Sequence, residues 1–400
     1  MTAHELRLEP PLTEQAQIEE LRRQTFFISE QIHDFTIRYE DGHAAVALTV
    51  ETPEECDPVR LQGLVDAFVD REIRPLRGLP KNRLWVSPRD PATLRYHRFD
   101  ALARAGLITE VQPGQVVLAD GAIRLYRALD EAVVSRVTSS FEAVEHQYPV
   151  TLPLTVLQRS GYFGSFPQHV YFASRLKGEL PVYEGLARAS GSPDLGRLLL
   201  GSAATVEKVL PPTMCYHTFA RFADSSVPST LTCVTSRGSA FRHESRYHRT
   251  AERLSDFTIR ETVFLGAPER VEQALAVLRA DLLALAEELG LAGWCEQAHD
   301  PFFASGADAN RADTQLMLDL KHELRVNVTA TDSLAVASFN VHKTHFTDAF
   351  GIRGHGLDEP VHSACVGVGL ERLVYAVLSQ YGPDERRWPG PLRAAGREHV

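Results

Sequence analysis

The sequence predicts an α+β chain: an antiparallel sheet flanked by helices over residues 92–390, preceded by a small α/β unit at residues 1–85. Three observations point there. Short apolar runs rich in β-branched residues follow one another at 230–235, 257–265, 324–329 and 334–339, the pattern of consecutive strands rather than of alternating βα units. One long helical stripe lies between them, in which Val271, Leu275, Leu278, Leu282, Leu285 and Leu289 recur at steps of four and three. The composition, 44% hydrophobic and 24% charged over 400 residues, is that of a globular chain long enough to bury a core.

Taken in order, Leu12–Thr25 has helical character. The run FTIRY at 35–39 alternates apolar and polar residues, Asp41 and Gly42 make a tight-turn pair, and VALTV at 46–50 alternates again. Together they predict a β-hairpin. Leu61, Leu64, Val65, Phe68 and Ile73 then recur at helical spacing. Pro75–Pro91, rich in proline and arginine, reads as a linker and sets the end of the first unit. Beyond it a helix is predicted from Ala122 to about His146, followed by an extended, proline-bounded stretch at 148–153. The chain contains no internal repeat and no low-complexity tract.

Charge and cysteine usage narrow the class. The 42 basic and 52 acidic side chains leave a net charge of −10, so no global field draws in a phosphate backbone. The five cysteines (Cys56, Cys215, Cys233, Cys295 and Cys365) are few, odd in number and far apart. They read as reduced thiols, some of them candidate metal ligands, rather than as a disulfide framework. The N-terminal MTAHELRLEPPLTEQ lacks the basic-then-apolar profile of a leader. The most apolar long stretch, Ala274–Leu291, is interrupted by Arg279, Asp281, Glu287 and Glu288, so no membrane span is expected. The expectation is a cytoplasmic protein with no membrane partner.

Three segments carry candidate chemistry. In FRHE at 241–244, Arg242 and Glu244 are two residues apart and would share one face of a strand. A guanidinium grips phosphate bidentately and a carboxylate accepts from an exocyclic amine, although the same pair is also a common surface salt bridge. In GVGLER at 367–372, two glycines allow a tight strand-to-helix approach and Arg372 falls in the first helical turn. The third glycine of a dinucleotide fingerprint is missing. Cys215, Glu261 and Cys365 form a possible soft-metal set, against the plain reading in which each cysteine is a small buried hydrophobe. His342 and His345, with the Arg- and His-rich stretch 242–249, make a competing set that no HExxH pattern or paired cysteine supports; a hydrogen-bonded histidine pair is its plain alternative.

The order FRHE, RLSDFTIRE (253–261) and GVGLER resembles motifs 2 and 3 of class II aminoacyl-tRNA synthetases, with the helix leading to Pro153 in the place of motif 1. Three features narrow the resemblance to the zinc-dependent atypical seryl-tRNA synthetases and their truncated relatives, the amino acid:[carrier protein] ligases. These are Cys215, Glu261 and Cys365, spaced by 46 and 104 residues, the segment SGYFGSFP at 160–167, and DPFF at 300–303. The resemblance covers about residues 95–385.

It implies an antiparallel sheet of six to seven strands flanked by helices, and a homodimer formed through the motif 1 region. It also implies ATP-dependent activation of a small amino acid as its adenylate, with Mg²⁺, and transfer to a phosphopantetheinylated carrier protein, an AMP-forming ligase reaction. Carried over by motif, Arg242 would hold the α-phosphate, Glu244 the adenine amino group and Phe257 the face of the base. Arg372 would clamp the far end of the bent triphosphate, and Arg253 would touch phosphate or adenine. Cys215, Glu261 and Cys365 would hold Zn²⁺ with one position open, and Asn340 would face the amino-acid pocket. A tRNA-charging enzyme and a catalytically silent paralogue are the alternatives. The unit at 1–85 does not resemble the long helical arm of bacterial seryl enzymes, and the net charge disfavours tRNA. Minimal carrier-protein ligases lack a counterpart of residues 1–85, and the serine-reading stretch is replaced by ASFNVH at 337–342, so serine specificity does not carry over.

Overall fold

Alternation of buried Leu6 and Leu8 with exposed Glu5, Arg7 and Glu9 makes the chain begin as a strand, β1 (Thr2–Leu12). The sequence reading missed it because two prolines close the segment and mask its period. Helix α1 (Gln15–Ile28) follows, then the predicted hairpin of β2 (Asp34–Glu40) and β3 (Ala44–Thr52), and helix α2 (Pro58–Phe68). Asp57 caps α2 by accepting from the backbone N–H groups of Val59 and Arg60, with Pro58 in the first turn. The strands pair antiparallel in the order β1-β3-β2, and α1 and α2 close an apolar core of their own that includes Leu21, Leu48, Val50, Leu61 and Ile73. The computed structural model describes residues 1–228, 230–244, 251–300, 315–356 and 360–395.

The stretch read as a linker is not one throughout. It contains β4 (Arg83–Val86), which pairs antiparallel with β8 (Gly293–Gln297) and so forms one edge of the main sheet. Trp85 packs on the main core, which is the reason the segment is held.

Helix α3 (Gly121–Ser140) stops short of its predicted end. Its last turn is Thr138, Ser139 and Ser140, and the Thr138 and Ser139 hydroxyls bond back to the carbonyls of Val134 and Arg136, competition that weakens a helix terminus. The residues beyond it form a short strand, β5 (Val144–His146). A short helix, α4 (Cys215–Arg221), precedes the long strands β6 (Leu231–Phe241) and β7 (Asp256–Gly266). Helix α5 (Pro268–Glu288) carries the predicted stripe, and Val271, Leu275, Leu278, Leu282 and Leu285 are all buried. Then come β8, β9 (Lys321–Asn327), β10 (Ser333–Lys343), β11 (His362–Gly369) and helix α6 (Leu370–Tyr381).

The main sheet has eight strands in the order β4-β8-β9-β10-β11-β7-β6-β5. This is one or two more than the six to seven expected, and every pair is antiparallel except β5 with β6. One face packs against α3, α5 and α6 through Phe264, Phe339, Val366, Val368, Leu278 and Val374. No helix among the described residues is long and apolar enough to cross a membrane.

Strand parity decides what each face does. Arg260 of β7 points to the helices, where it is 4% exposed and binds both carboxylate oxygens of Asp130 on α3 at 2.7 and 2.9 Å. It also reaches Glu145 of β5 at 2.6 Å, so one guanidinium ties the helix, a central strand and the edge strand together. Removing one partner of such a buried pair strands the other charge. Asp130→Ala is therefore expected to cost about 3–5 kcal/mol, read as a shift in the urea midpoint. Its neighbour Glu261 points to the opposite face.

Candidate active site

Register on that opposite face builds the site. Glu261 of β7 lies opposite Gly367 of β11, Val263 opposite Cys365, and Asn340 of β10 opposite the same Cys365. Glu261, Cys365 and Asn340 therefore share a face of the sheet. Cys215, the first residue of α4, comes down onto them. One ligand atom from each of Cys215, Glu261 and Cys365 lies within 4.8 Å of the others, and all three residues are buried. The carboxylate is pre-oriented: Glu261 Oε2 accepts from the Thr213 hydroxyl at 2.7 Å and from the backbone N–H groups of Met214 and Cys215, both at 2.8 Å. That saturates one oxygen and leaves the other for a ligand.

The two thiols contact each other. That hydrogen bond, then burial and the Glu261 charge, push Cys215 well above the ordinary thiol range. Cys365 is also raised, by burial and Glu261, although the bond from Cys215 works to lower it. Two sulfurs and one carboxylate with a fixed back side are the donor set of a three-ligand zinc site with an open position, and a dication would draw the protons off both thiols. The competing histidine pair does not assemble a ligand set among the described residues. Instead His342 Nε2 lies 3.5 Å from Cys365 Sγ, and burial pulls its pKa down to about 3, so the ring is neutral.

A second cluster is cationic. Arg242 and Glu244 lie just beyond the end of β6 rather than on it, because ladder pairing with β7 stops at Phe241 and Asp256. The Arg242 N–H still reaches the Ser255 carbonyl at 3.0 Å, and its side chain donates from Nε to the Pro212 carbonyl at 2.9 Å. Its guanidinium rests over the ring of Phe257, 5.4 Å from the centroid. Arg372, in the first turn of α6, is held by the carbonyls of Glu252 and Ala335. Burial, and then the nearby Arg253 and Arg242 charges, bring Arg372 down to about 10.

Glu244 is the counterweight. Burial would raise its pKa, but Arg253, His169, Arg242 and Arg372 together hold it below the ordinary value, so it stays an ionised acceptor. Arg253 binds it at 2.8 Å, so this arginine is placed against the carboxylate. Three arginines against one carboxylate leave an excess of positive charge in a partly enclosed space.

Cys215, Glu261, Cys365, Arg242, Phe257, Asn340 and Arg372 line one cavity. Glu244 and Arg253 are not among the residues that line it; they border it through Arg242 and Arg372. Between the two clusters the floor is bare: Cβ atoms added at Gly367 or Gly369 would meet protein only at ordinary van der Waals distance, from 3.6 Å. Glycine there is not demanded by packing; it leaves room for a bound group. Tyr162 and Phe166 of the SGYFGSFP segment also line the cavity, as does Asp300. The rest of DPFF, Pro301–Phe303, and the end of the Arg- and His-rich stretch, residues 245–249, lie outside the described residues.

Sequence reasoning missed the far wall. Lys321, 8% exposed, pairs with Asp300 and lies near Glu323, while Gln315 donates to Asp300 at 2.8 Å. Only the register that sets Lys321 opposite Asn340 brings this lysine to the site, and nothing local marks it.

Comparison with known proteins follows from this geometry. No protein-family profile matches the chain. It is 30% identical over 274 residues to amino acid–[acyl-carrier-protein] ligase 1 of Bradyrhizobium diazoefficiens, a match covering 67% of this chain and 82% of that protein. It is 27% identical over 287 residues to the type-2 serine–tRNA ligase of Methanococcus aeolicus, covering 66% of this chain and 52% of that one. Among solved structures, the seryl-tRNA synthetase of M. kandleri, in complex with a tRNASec of A. aeolicus, superposes with a TM-score of 0.71 at 20% identity over 98% of this chain and 77% of that one. The seryl-tRNA synthetase of Pyrococcus horikoshii complexed with ATP gives 0.56 at 14% identity, covering 76% and 63%.

Proposed function

Because the chain belongs to the amino acid–[acyl-carrier-protein] ligases, relatives of class II seryl-tRNA synthetases and ligases themselves, we propose that it activates a small amino acid with ATP and loads it on a carrier protein. The observation that carries this reading is one cavity holding both the Cys215–Glu261–Cys365 cluster and the arginine cluster at Arg242 and Arg372.

In the first step an amino-acid carboxylate oxygen attacks the α-phosphorus of ATP and pyrophosphate leaves. Two anions must meet, so the protein's task is positioning and charge compensation, with no protein nucleophile. Arg242 holds the α-phosphate, Arg372 the far end of the triphosphate with Mg²⁺, and Glu244 the adenine amino group. Phe257 offers its ring to the base, and Arg253 keeps Glu244 ionised and in place. Cys215, Glu261 and Cys365 would hold Zn²⁺, which when bound supplies a Lewis-acidic position for the α-amino group. Asn340 sits 3.6 Å from Cys365 Sγ and faces the amino-acid end. In the second step the phosphopantetheine sulfur attacks the adenylate carbonyl, AMP leaves, and a thioester forms.

Transfer to tRNA is the second reading, favoured by the superposition that takes in nearly the whole chain, N-terminal unit included. Charge weighs against it. Residues 1–75 hold seven arginines, no lysine and sixteen carboxylates, a net −9 out of the total −10. All of those carboxylates except Glu20 and Glu72 are exposed. A surface of that sign repels an RNA backbone.

The test is ATP–pyrophosphate exchange across amino acids with small side chains, followed by transfer to a holo carrier protein or to total tRNA. Exchange with a small amino acid and a thioester on the holo but not the apo carrier are expected. Charging of tRNA instead selects the second reading, and absence of exchange with every amino acid overturns both.

A further inference from the structure

Helix α1 has two opposite faces. Ile18 and Leu21, with Thr25, are buried on the side of the N-terminal core. Glu20, Arg23, Gln24 and Phe27 follow one another by three, one and three residues on the other side. That second face is polar, yet Glu20 is 6% and Gln24 5% exposed. Buried polar side chains need partners, and these are found along the face itself, where the Gln24 amide donates to the Glu20 carboxylate and Arg23 pairs with it.

The same face of the helix meets the catalytic unit beside the cavity. At one end the Phe27 ring meets His169 edge-on, with centroids 5.6 Å apart, and His243 at 6.4 Å. Those two histidines clamp each other: the His243 N–H donates to the His169 carbonyl at 3.1 Å, and His169 Nδ1 lies 2.9 Å from the His243 carbonyl. His169 lines the cavity, and His243 sits between Arg242 and Glu244. Phe166 also stacks near His169 and Tyr171 meets His243 edge-on, so Phe27 joins an aromatic cluster around the segment that presents Arg242.

At the other end Glu20 pairs with Arg23 at 3.0 Å. Burial pushes Glu20 upward, but Arg23, His299, Gln24 and Lys81 hold it below the ordinary carboxylate value. His299 precedes Asp300, and the Arg23 charge joins those of Lys321 and Arg325 in holding the partly buried Glu323 below the ordinary carboxylate value.

We infer that α1 is a built-in outer brace of the activation cavity: Phe27 positions the segment carrying Arg242 and Glu244. Residues 1–75 thus serve the activation step and are not only a docking appendage. Phe27 is a positioning residue that acts through His169 and His243. The inference rests on the activation reading above.

The experiment uses the 400-residue chain with Zn²⁺ supplied. ATP binding is measured by calorimetry without amino acid, and both Michaelis constants by pyrophosphate exchange. Phe27→Ala should weaken ATP binding about ten-fold and leave the amino-acid KM within about two-fold. Phe27→Leu, which keeps bulk, should recover most of the affinity. Phe35→Ala, which loosens the same unit at its contact with Phe26, should shift neither. Wild-type ATP affinity in Phe27→Ala, or an equal loss in Phe35→Ala, overturns the brace and leaves the activation reading intact. Wild-type protein that binds no ATP overturns the activation reading, and the brace with it.

Discussion

If the cluster holds zinc as proposed, Cys215→Ala and Cys365→Ala are each expected to lose it, measured by elemental analysis of the purified protein, and amino-acid-dependent pyrophosphate exchange should fall with it. The expected scale follows from the architecture of the cluster. Loss of an outer partner of a metal ligand typically costs about 10–100-fold in affinity or activity, so loss of a ligand itself should cost more than about 100-fold. An internal calibration is available in Thr213, whose hydroxyl holds Glu261 Oε2 at 2.7 Å beside two backbone donors. Thr213→Ala removes one of three supports and leaves the other two, so it should fall within the lower range and retain part of the zinc. ATP binding in the absence of amino acid should survive all three substitutions, because the arginine cluster uses other residues. A zinc-free Cys215→Ala/Cys365→Ala double variant that exchanges at the wild-type rate would remove the metal from the activation step.

What could be read from the chain and what could not divides along physical lines. The stripe on α5 and the hairpin of β2 and β3 were legible because each is a local period set by its own burial. Cys215, Glu261 and Cys365 are individually unremarkable, and 46 and 104 residues separate them. Only the order of the surrounding motifs singled them out, and the cause of their meeting is sheet register. Glu261 and Cys365 are diagonal neighbours across β7 and β11, a relation no local window contains. Lys321 shows the converse. Its sequence neighbourhood reads as an ordinary strand, and its burial beside Asp300 depends on β9 lying next to β10. The brace formed by α1 was illegible for the same reason: a polar helix face normally faces water, and nothing in its sequence tells that Glu20 and Gln24 are covered.

The fold carries a cost for this cationic cluster. Arg372 is partly buried near Arg253 and Arg242, and its pKa is brought down to about 10 by burial and their charges. A cation whose pKa is lower in the folded than in the unfolded chain destabilises the fold at any pH where it is charged in both states. Both values lie well above neutrality, so the penalty is constant between pH 5 and about 9, and substitution rather than titration exposes it. Arg372→Gln keeps a donor for the Glu252 carbonyl and removes the charge. Its melting temperature without nucleotide should equal or exceed that of the wild type, while pyrophosphate exchange drops about 100- to 1000-fold, the loss typical of one donor aimed at developing anionic charge.

Arg242→Ala should lose activity on the same scale with zinc unchanged, and Arg242→Lys should rescue little, since an ammonium cannot reproduce the planar fork held by the Pro212 carbonyl. Saturating Mg-ATP, at about 100 times its Kd, should stabilise the wild type by about 2.7 kcal/mol, and both variants far less. A wild type that gains nothing from ATP, or an Arg372→Gln protein that is less stable and still active, would show that the cluster is structural, and the phosphate site would have to be sought elsewhere.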